Sequence, residues 1–223
     1  MMFFSNQVQA AAGDVYERFA GIVVDQVGPL ANATVEVNGV KKQTNSDGSF
    51  EVYVINTSRY TINVTKSGYA LVSKIENYLY GNTNLQITIN KAEEREINPV
   101  TGGTVTDTHG TQIVLPANAL VDANGNKPTG TVKVWIYTYD LANESMPGDM
   151  SGITFAGKRG YLQSAGAFFA EFTDDSGKKY NLAADQKATI SLPAINTELT
   201  VGLWSYDGAE GTWKGCVFVL MFG

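Results

Sequence analysis

Apolar and polar residues alternate one by one in short runs through residues 18–69. Val35 and Val37 share a face against Thr34 and Glu36; Phe50, Val52 and Val54 share one against Glu51 and Tyr53; Tyr60, Ile62 and Val64 oppose Thr61, Asn63 and Thr65. A period of two sends successive side chains to opposite sides of an extended chain, so each run predicts a strand with one buried and one wet face. Turn signals at Gly28-Pro29, Asn38-Gly39, Asp47-Gly48 and Ser67-Gly68 punctuate the runs at near-regular spacing, the pattern of an antiparallel β-sandwich. A further run, LQITIN, puts Leu85, Ile87 and Ile89 inward and closes a set of about seven strands near Asn90.

In KAEEREINPVTGG, charge and then Pro99, Gly102 and Gly103 replace the alternation, which predicts an exposed linker over 92–103. Alternation resumes in TVKVWIYTYD, where Val132, Val134 and Ile136 oppose Lys133, Trp135 and Tyr137, and hairpin signals recur at Asn124-Gly125 and Asp175-Ser176-Gly177. No stretch sustains a helical period. The expected fold is therefore all-β, two antiparallel β-sandwiches in tandem: a lead-in over 1–16, a first sandwich over 17–91, the linker, and a second sandwich over 104–223. The last residues, KGCVFVLMFG, are an apolar run without a polar tail, which predicts a chain truncated or frameshifted near Lys214 with an exposed apolar edge.

The stretches GIVVDQVGPLANATVEVNG, TNSDGSFEVYV and YTINVTKSGY follow one another in the order and spacing of the carboxypeptidase regulatory-like domain. Residues 18–91 resemble that small prealbumin-like sandwich, and the resemblance implies a non-catalytic domain of the kind appended to peptidases, outer-membrane receptors and surface proteins. The segments IVLPANAL, MPGDM, SAGAFFAEFTDDSGKKYNL and LWSYDGAEGTW are similar to the β-sandwich of cartilage intermediate layer protein and of Bacteroidetes surface proteins, and more distantly to the ZU-type domain. That likeness spans about residues 98–214 and implies an extracellular, cell-surface or periplasmic setting. Some ZU-type sandwiches cut themselves at a His-Phe-Ser motif near their C-terminal end; no histidine follows His109 here, so that chemistry does not carry over.

Composition narrows the function classes. The net charge is −6 and the Lys and Arg residues are scattered, whereas nucleic-acid binding needs a basic stripe. A single cysteine, Cys216, staples nothing within the chain and reads as a small buried hydrophobe. The start, MMFFSNQVQAAAGDV, has neither a basic n-region nor an apolar run long enough for a signal peptide or a membrane span. Four sequons, at Asn32, Asn56, Asn63 and Asn143, are of the kind that arise by chance in a Thr-rich β chain.

Candidates for chemistry are few. Asp122, Asn124 and Asn126 have the one-three-five spacing of a calcium loop, but Lys127 and Lys133 stand where the loop needs Gly and a bidentate Glu, so a hairpin turn is expected. His109 is the only histidine and sits in a Gly/Thr turn, which leaves no second imidazole for a two-histidine metal site. Carboxylate pairs such as Asp140 with Asp149, or Glu171 with Asp174, have the residue types of a glycosidase, but at a density any acidic protein reaches. No catalytic residue, metal or cofactor is expected. The sharpest candidate is the strand TVKVWIYTYD: Trp135, Tyr137 and Tyr139 share a face with Lys133 at its start, and aligned rings are what sugars or apolar peptide side chains stack on. Otherwise the MPGDM loop or the neighbouring domain covers them.

The resulting expectation is a non-enzymatic surface or exported adhesion module whose partner is a glycan or a surface protein, with no nucleic acid and no membrane span in the chain. Its rivals are an accessory component of an outer-membrane nutrient-uptake system and a hydrolase. The sequence assigns no oligomeric state.

Overall fold

A computed structural model describes residues 15–77, 83–193 and 201–220. The lead-in expected before residue 16 lies almost wholly outside them. Among the described residues there is no helix, and none is long and apolar enough to cross a membrane. The first seven strands are β1 (Tyr16–Val24), β2 (Thr34–Val37), β3 (Val40–Gln43), β4 (Ser49–Ile55), β5 (Arg59–Thr65), β6 (Val72–Asn77) and β7 (Thr83–Thr88). They form two sheets, ordered β4-β1-β7 and β3-β2-β5-β6. Between the sheets lie Val35, Val37, Phe50, Val52, Val54, Tyr60, Ile62, Val64, Ile87 and Ile89, the residues that alternation turns inward, joined by Phe19 and Val23 of β1. Each fully buried Val, Ile or Phe contributes about 1.5–3 kcal/mol. The Asn38-Gly39 turn between β2 and β3 has φ of 44° and 86°. That is the left-handed pair of a type I′ hairpin, whose twist matches the strands it joins.

The next strands are β8 (Glu93–Ile97), β9 (Gly103–Thr106), β10 (Gln112–Leu115), β11 (Leu120–Val121), β12 (Val132–Thr138), β13 (Ser151–Ile153) and β14 (Arg159–Tyr161). They are followed by β15 (Phe168–Thr173), β16 (Lys179–Leu182), β17 (Thr189–Ser191), β18 (Val201–Asp207) and β19 (Thr212–Leu220). Sheets β11-β16-β15-β12-β8 and β17-β10-β9 enclose a second core built on Val132, Val134, Ile136, Ile113, Leu115 and Leu120. A fifth sheet, β14-β13-β19-β18, shares no strand pairing with either pair.

Three details differ from the sequence expectations. The segment expected as an exposed linker contains β8, which pairs in register with β12 from Ile97 opposite Val132 to Glu93 opposite Ile136 and buries Ile97. Charge hid this strand, because Glu94 and Glu96 line its exposed side while Arg95 reaches back to Glu93. Pairing is not wholly antiparallel: β1 with β7 and β13 with β19 run parallel. As far as Leu220 the apolar run expected at the end of the chain lies in strand β19, paired on one side with β18, while on its other side β13 pairs with it only at Trp213 and Lys214; the rest of the run lies outside the described residues.

Candidate functional site

The aromatic strand is largely covered. Tyr139 is only 7% exposed and donates its hydroxyl to Leu71 O at 2.7 Å. Tyr137 is half-buried, meets Tyr139 edge-on with centroids 5.3 Å apart, and donates to Glu144 Oε1 at 2.7 Å. Burial pushes the pKa of both phenols well up, and for Tyr137 the adjacent Glu144 carboxylate adds to the rise, so both stay neutral. Trp135 donates to Thr173 Oγ1 at 3.0 Å, and its ring lies over Gly68, where a Cβ would come within 3.1 Å of it. Lys133 is paired with Glu94 at 3.3 Å and Asp175 at 3.2 Å. The three rings are a lining, with Gly68 and Leu71 of the first half lying over Trp135 and Tyr139 and Tyr137 packed beside them, and Lys133 is tied down within the second half, so the set is not an open platform.

The lining extends into a continuous seam. Ala70, Tyr139, Met146, Ala167 and Trp213 form a third apolar cluster, with Tyr206, Phe169 and Trp204 packed against it. Polar contacts edge it. Arg59 donates to Glu210 O at 3.1 Å and Gly211 O at 3.0 Å and pairs with Asp149 at 3.2 Å. Asn63 Nδ2 donates to Gly208 O at 2.6 Å, Ser73 and Tyr206 share a hydroxyl bond at 2.6 Å, and Gly148 N donates to Ser73 O at 2.9 Å. The β18–β19 turn and the MPGDM loop therefore cover the outer face of β5 and β6, burying Thr61 and Asn63, which alternation assigned to solvent. Asn63 Oδ1 accepts nothing, so burial of this amide is half compensated. Its side chain is enclosed, and the sequon there has no room for a glycan while the seam is closed.

The expected chemical groups are spent on turns. Asp122 accepts from Asn124 N, Asn126 N and Lys178 Nζ, the last at 2.5 Å. The lysine contact and the turn hydrogen bonds hold this carboxyl far below the usual range. Asp174 is held down to about 2, chiefly by the Ser176 hydroxyl, although burial opposes it. Asp140 is lowered by Asn143 and the Ala142 amide. Burial pushes Asp149 up, but Ser151 and Arg59 outweigh it. None of these four has a proton to donate near neutrality, and Glu171 is engaged by Lys179. Glu93, Asp107 and His109 bring ligating atoms within 4.8 Å of one another, a set that could in principle hold a metal. Both carboxylates are already committed, Asp107 to His109 N, Thr111 N and Thr138 Oγ1, and Glu93 to Thr108 and the Arg95 guanidinium. Two described cavities, of about 280 and 390 Å³, flank Trp204 and Trp213 and carry no carboxylate or histidine.

The open aromatic surface lies elsewhere, on the β13–β14 hairpin. Its turn closes with Thr154 N on Lys158 O and Gly157 N on Thr154 O, both at 2.8 Å, which sets Phe155 at the tip. Phe155 is 77% exposed and Tyr161 85%, with Lys158 and Arg159 exposed between them. Ser151 faces Tyr161 and Ile153 faces Arg159 across the pair, so Arg159 and Tyr161 share one side of the strand. Sequence reasoning passed over this hairpin because its strands are three residues long, too short for alternation to register. The signal present was TFAGKRGY, rings and cations around two glycines. No protein-family model matches this chain, and no curated protein matches it either.

Proposed function

We propose that this chain is a non-catalytic binding module of a cell-surface or exported setting, and that the β13–β14 hairpin is its contact point. The observation that carries the reading is the exposure of Phe155 and Tyr161 on one short hairpin while the other aromatics described in the second half are packed into cores or the seam. Rings left in water on a projecting turn stabilise nothing in the fold and are available to a partner. The commitment of Asp122, Asp140, Asp149 and Asp174 to turns and ion pairs supports a role without catalysis, and the resemblance of both halves to surface-protein sandwiches supports the setting.

The test is retention of the whole chain on immobilised mucin and on immobilised collagen, with the double variant Phe155→Ala/Tyr161→Ala beside it. Wild-type chain is expected to be held and the variant to pass through, with their unfolding free energies equal within about 0.5 kcal/mol per exposed ring. Equal retention of the two overturns the assignment of the hairpin. A hydrolytic activity that disappears when one carboxylate is replaced overturns the non-catalytic reading.

A further inference from the structure

We infer that the hairpin takes an acidic polysaccharide, with sugar rings stacking on Phe155 and Tyr161 and the carboxylate or sulfate groups meeting Lys158 and Arg159. This rests on the hairpin being the binding surface. The charge pattern is what names the ligand class. The chain carries a net charge of −6, yet between Asp149 and Glu171 it has two cations, Lys158 and Arg159, and no acid. Several other exposed cations are engaged: Arg18 by Glu51, Arg59 by Asp149, Lys178 by Asp122, Lys179 by Glu171, and Lys214 by Asp207 and Glu210. Lys42, Lys74 and Lys91 are exposed without an ion pair among the described residues as well, but Lys158 and Arg159 are the adjacent two that the exposed Phe155 and Tyr161 flank in the chain. Neither Lys158 nor Arg159 has an ion-pair partner among the described residues, so both are free to meet an external anion.

Geometry adds to charge. Arg159 and Tyr161 stand two residues apart on one face of an edge strand, roughly 7 Å along it, so a guanidinium and a ring are presented side by side. Gly157 and Gly160 keep the surroundings low, since a Cβ at either would meet nothing within 4 Å. Rings offer a flat apolar surface to a pyranose face, and Arg offers a planar fork to a carboxylate or sulfate. A membrane surface fits less well: anionic lipid repels a chain of this net charge, and stable anchoring takes more apolar area or more cations than one hairpin tip supplies.

Affinity electrophoresis of the whole chain through gels containing polygalacturonate, chondroitin sulfate or neutral dextran tests the inference. Retardation is expected in both acidic gels and not in dextran, and it should weaken as salt is raised. Lys158→Gln/Arg159→Gln should lower the apparent affinity about tenfold and flatten the salt dependence, and Tyr161→Ala should lower it by a similar factor with the salt dependence kept. Equal mobility in acidic and neutral gels, or a double variant that binds like wild type, overturns the inference. So does binding to phosphatidylglycerol vesicles in the absence of binding to either polysaccharide. Retention on mucin or collagen that depends on Tyr161 but not on the two cations would leave the hairpin as the binding surface and remove only the acidic ligand.

Discussion

Strands β4 and β5 carry the same pattern, Phe50-Glu51-Val52-Tyr53-Val54 and Tyr60-Thr61-Ile62-Asn63-Val64, and their apolar positions meet in one core. Their polar positions part company. Tyr53 is 52% exposed and Glu51 stands in solvent beside Arg18, whereas Thr61 and Asn63 are buried beneath the β18–β19 turn. Alternation tells which side of a strand points at its own sheet partner across the core. What covers the other side depends on residues about 145 positions away, as the Asn63–Gly208 contact illustrates.

Tyr139→Ala should give the largest effect. It removes a ring from the third cluster and the hydroxyl bond to Leu71, and a loss of about 3–5 kcal/mol is expected by urea unfolding. A loss as small as that of an exposed ring would mean that the seam does not hold in solution.

Gly211→Ala addresses the seam itself. The residue has φ of 63°, and an added Cβ would come within 2.6 Å of both Ile75 Cδ1 and Thr61 Oγ1. Strain and overpacking together should cost about 1–3 kcal/mol. Gly157→Ala is the control, because it has a similar positive φ of 80° but open space around it. The difference between the two variants reads out the contact with the first half alone.

Acid should loosen this contact, through Asp149, and the β15–β16 turn, through Asp174. The Asp149 and Asp174 carboxyls sit below their ordinary value of 3.8, Asp174 near 2. A lowered folded-state value stabilises fully above the unfolded value and is lost as pH falls through the folded one. Melting temperature should therefore be nearly flat from neutrality to about pH 5 and fall between about pH 4 and 2. Asp149→Asn should make that fall shallower, since it removes the carboxylate that Arg59 holds across the seam. An unchanged acid limb would place the acid sensitivity outside the seam.

Tyr53→Ala should give the smallest effect, within about 0.5 kcal/mol, because its ring lies on the open face of β4. A cost comparable to that of Tyr139→Ala would show that this face too is covered in solution.

The aromatic residues repeat the lesson. Trp135, Tyr137 and Tyr139 are legible as an aligned set, since Val132, Val134 and Ile136 must fill the core and pleating sends their neighbours the other way. Their spacing carries no information about the Gly68–Leu71 segment and Glu144 that lie over them. Phe155 and Tyr161 are six residues apart with no shared period, and only the turn closed by Thr154 and Lys158 places them on one hairpin. The charged strand β8 was likewise hidden, because its membership in a sheet is decided by register with β12 rather than by its own composition.

The all-β class, the inward faces of the main strands and the turns at Asn38-Gly39, Asn124-Gly125 and 175–177 are written in the sequence, because a period of two and residues suited to left-handed φ are local properties. The seam, the fate of each polar face and the open hairpin were decided by tertiary structure. They depend on which distant segment comes to rest on a strand, and burial of that kind is a property of pairs of segments that no single stretch of the chain contains.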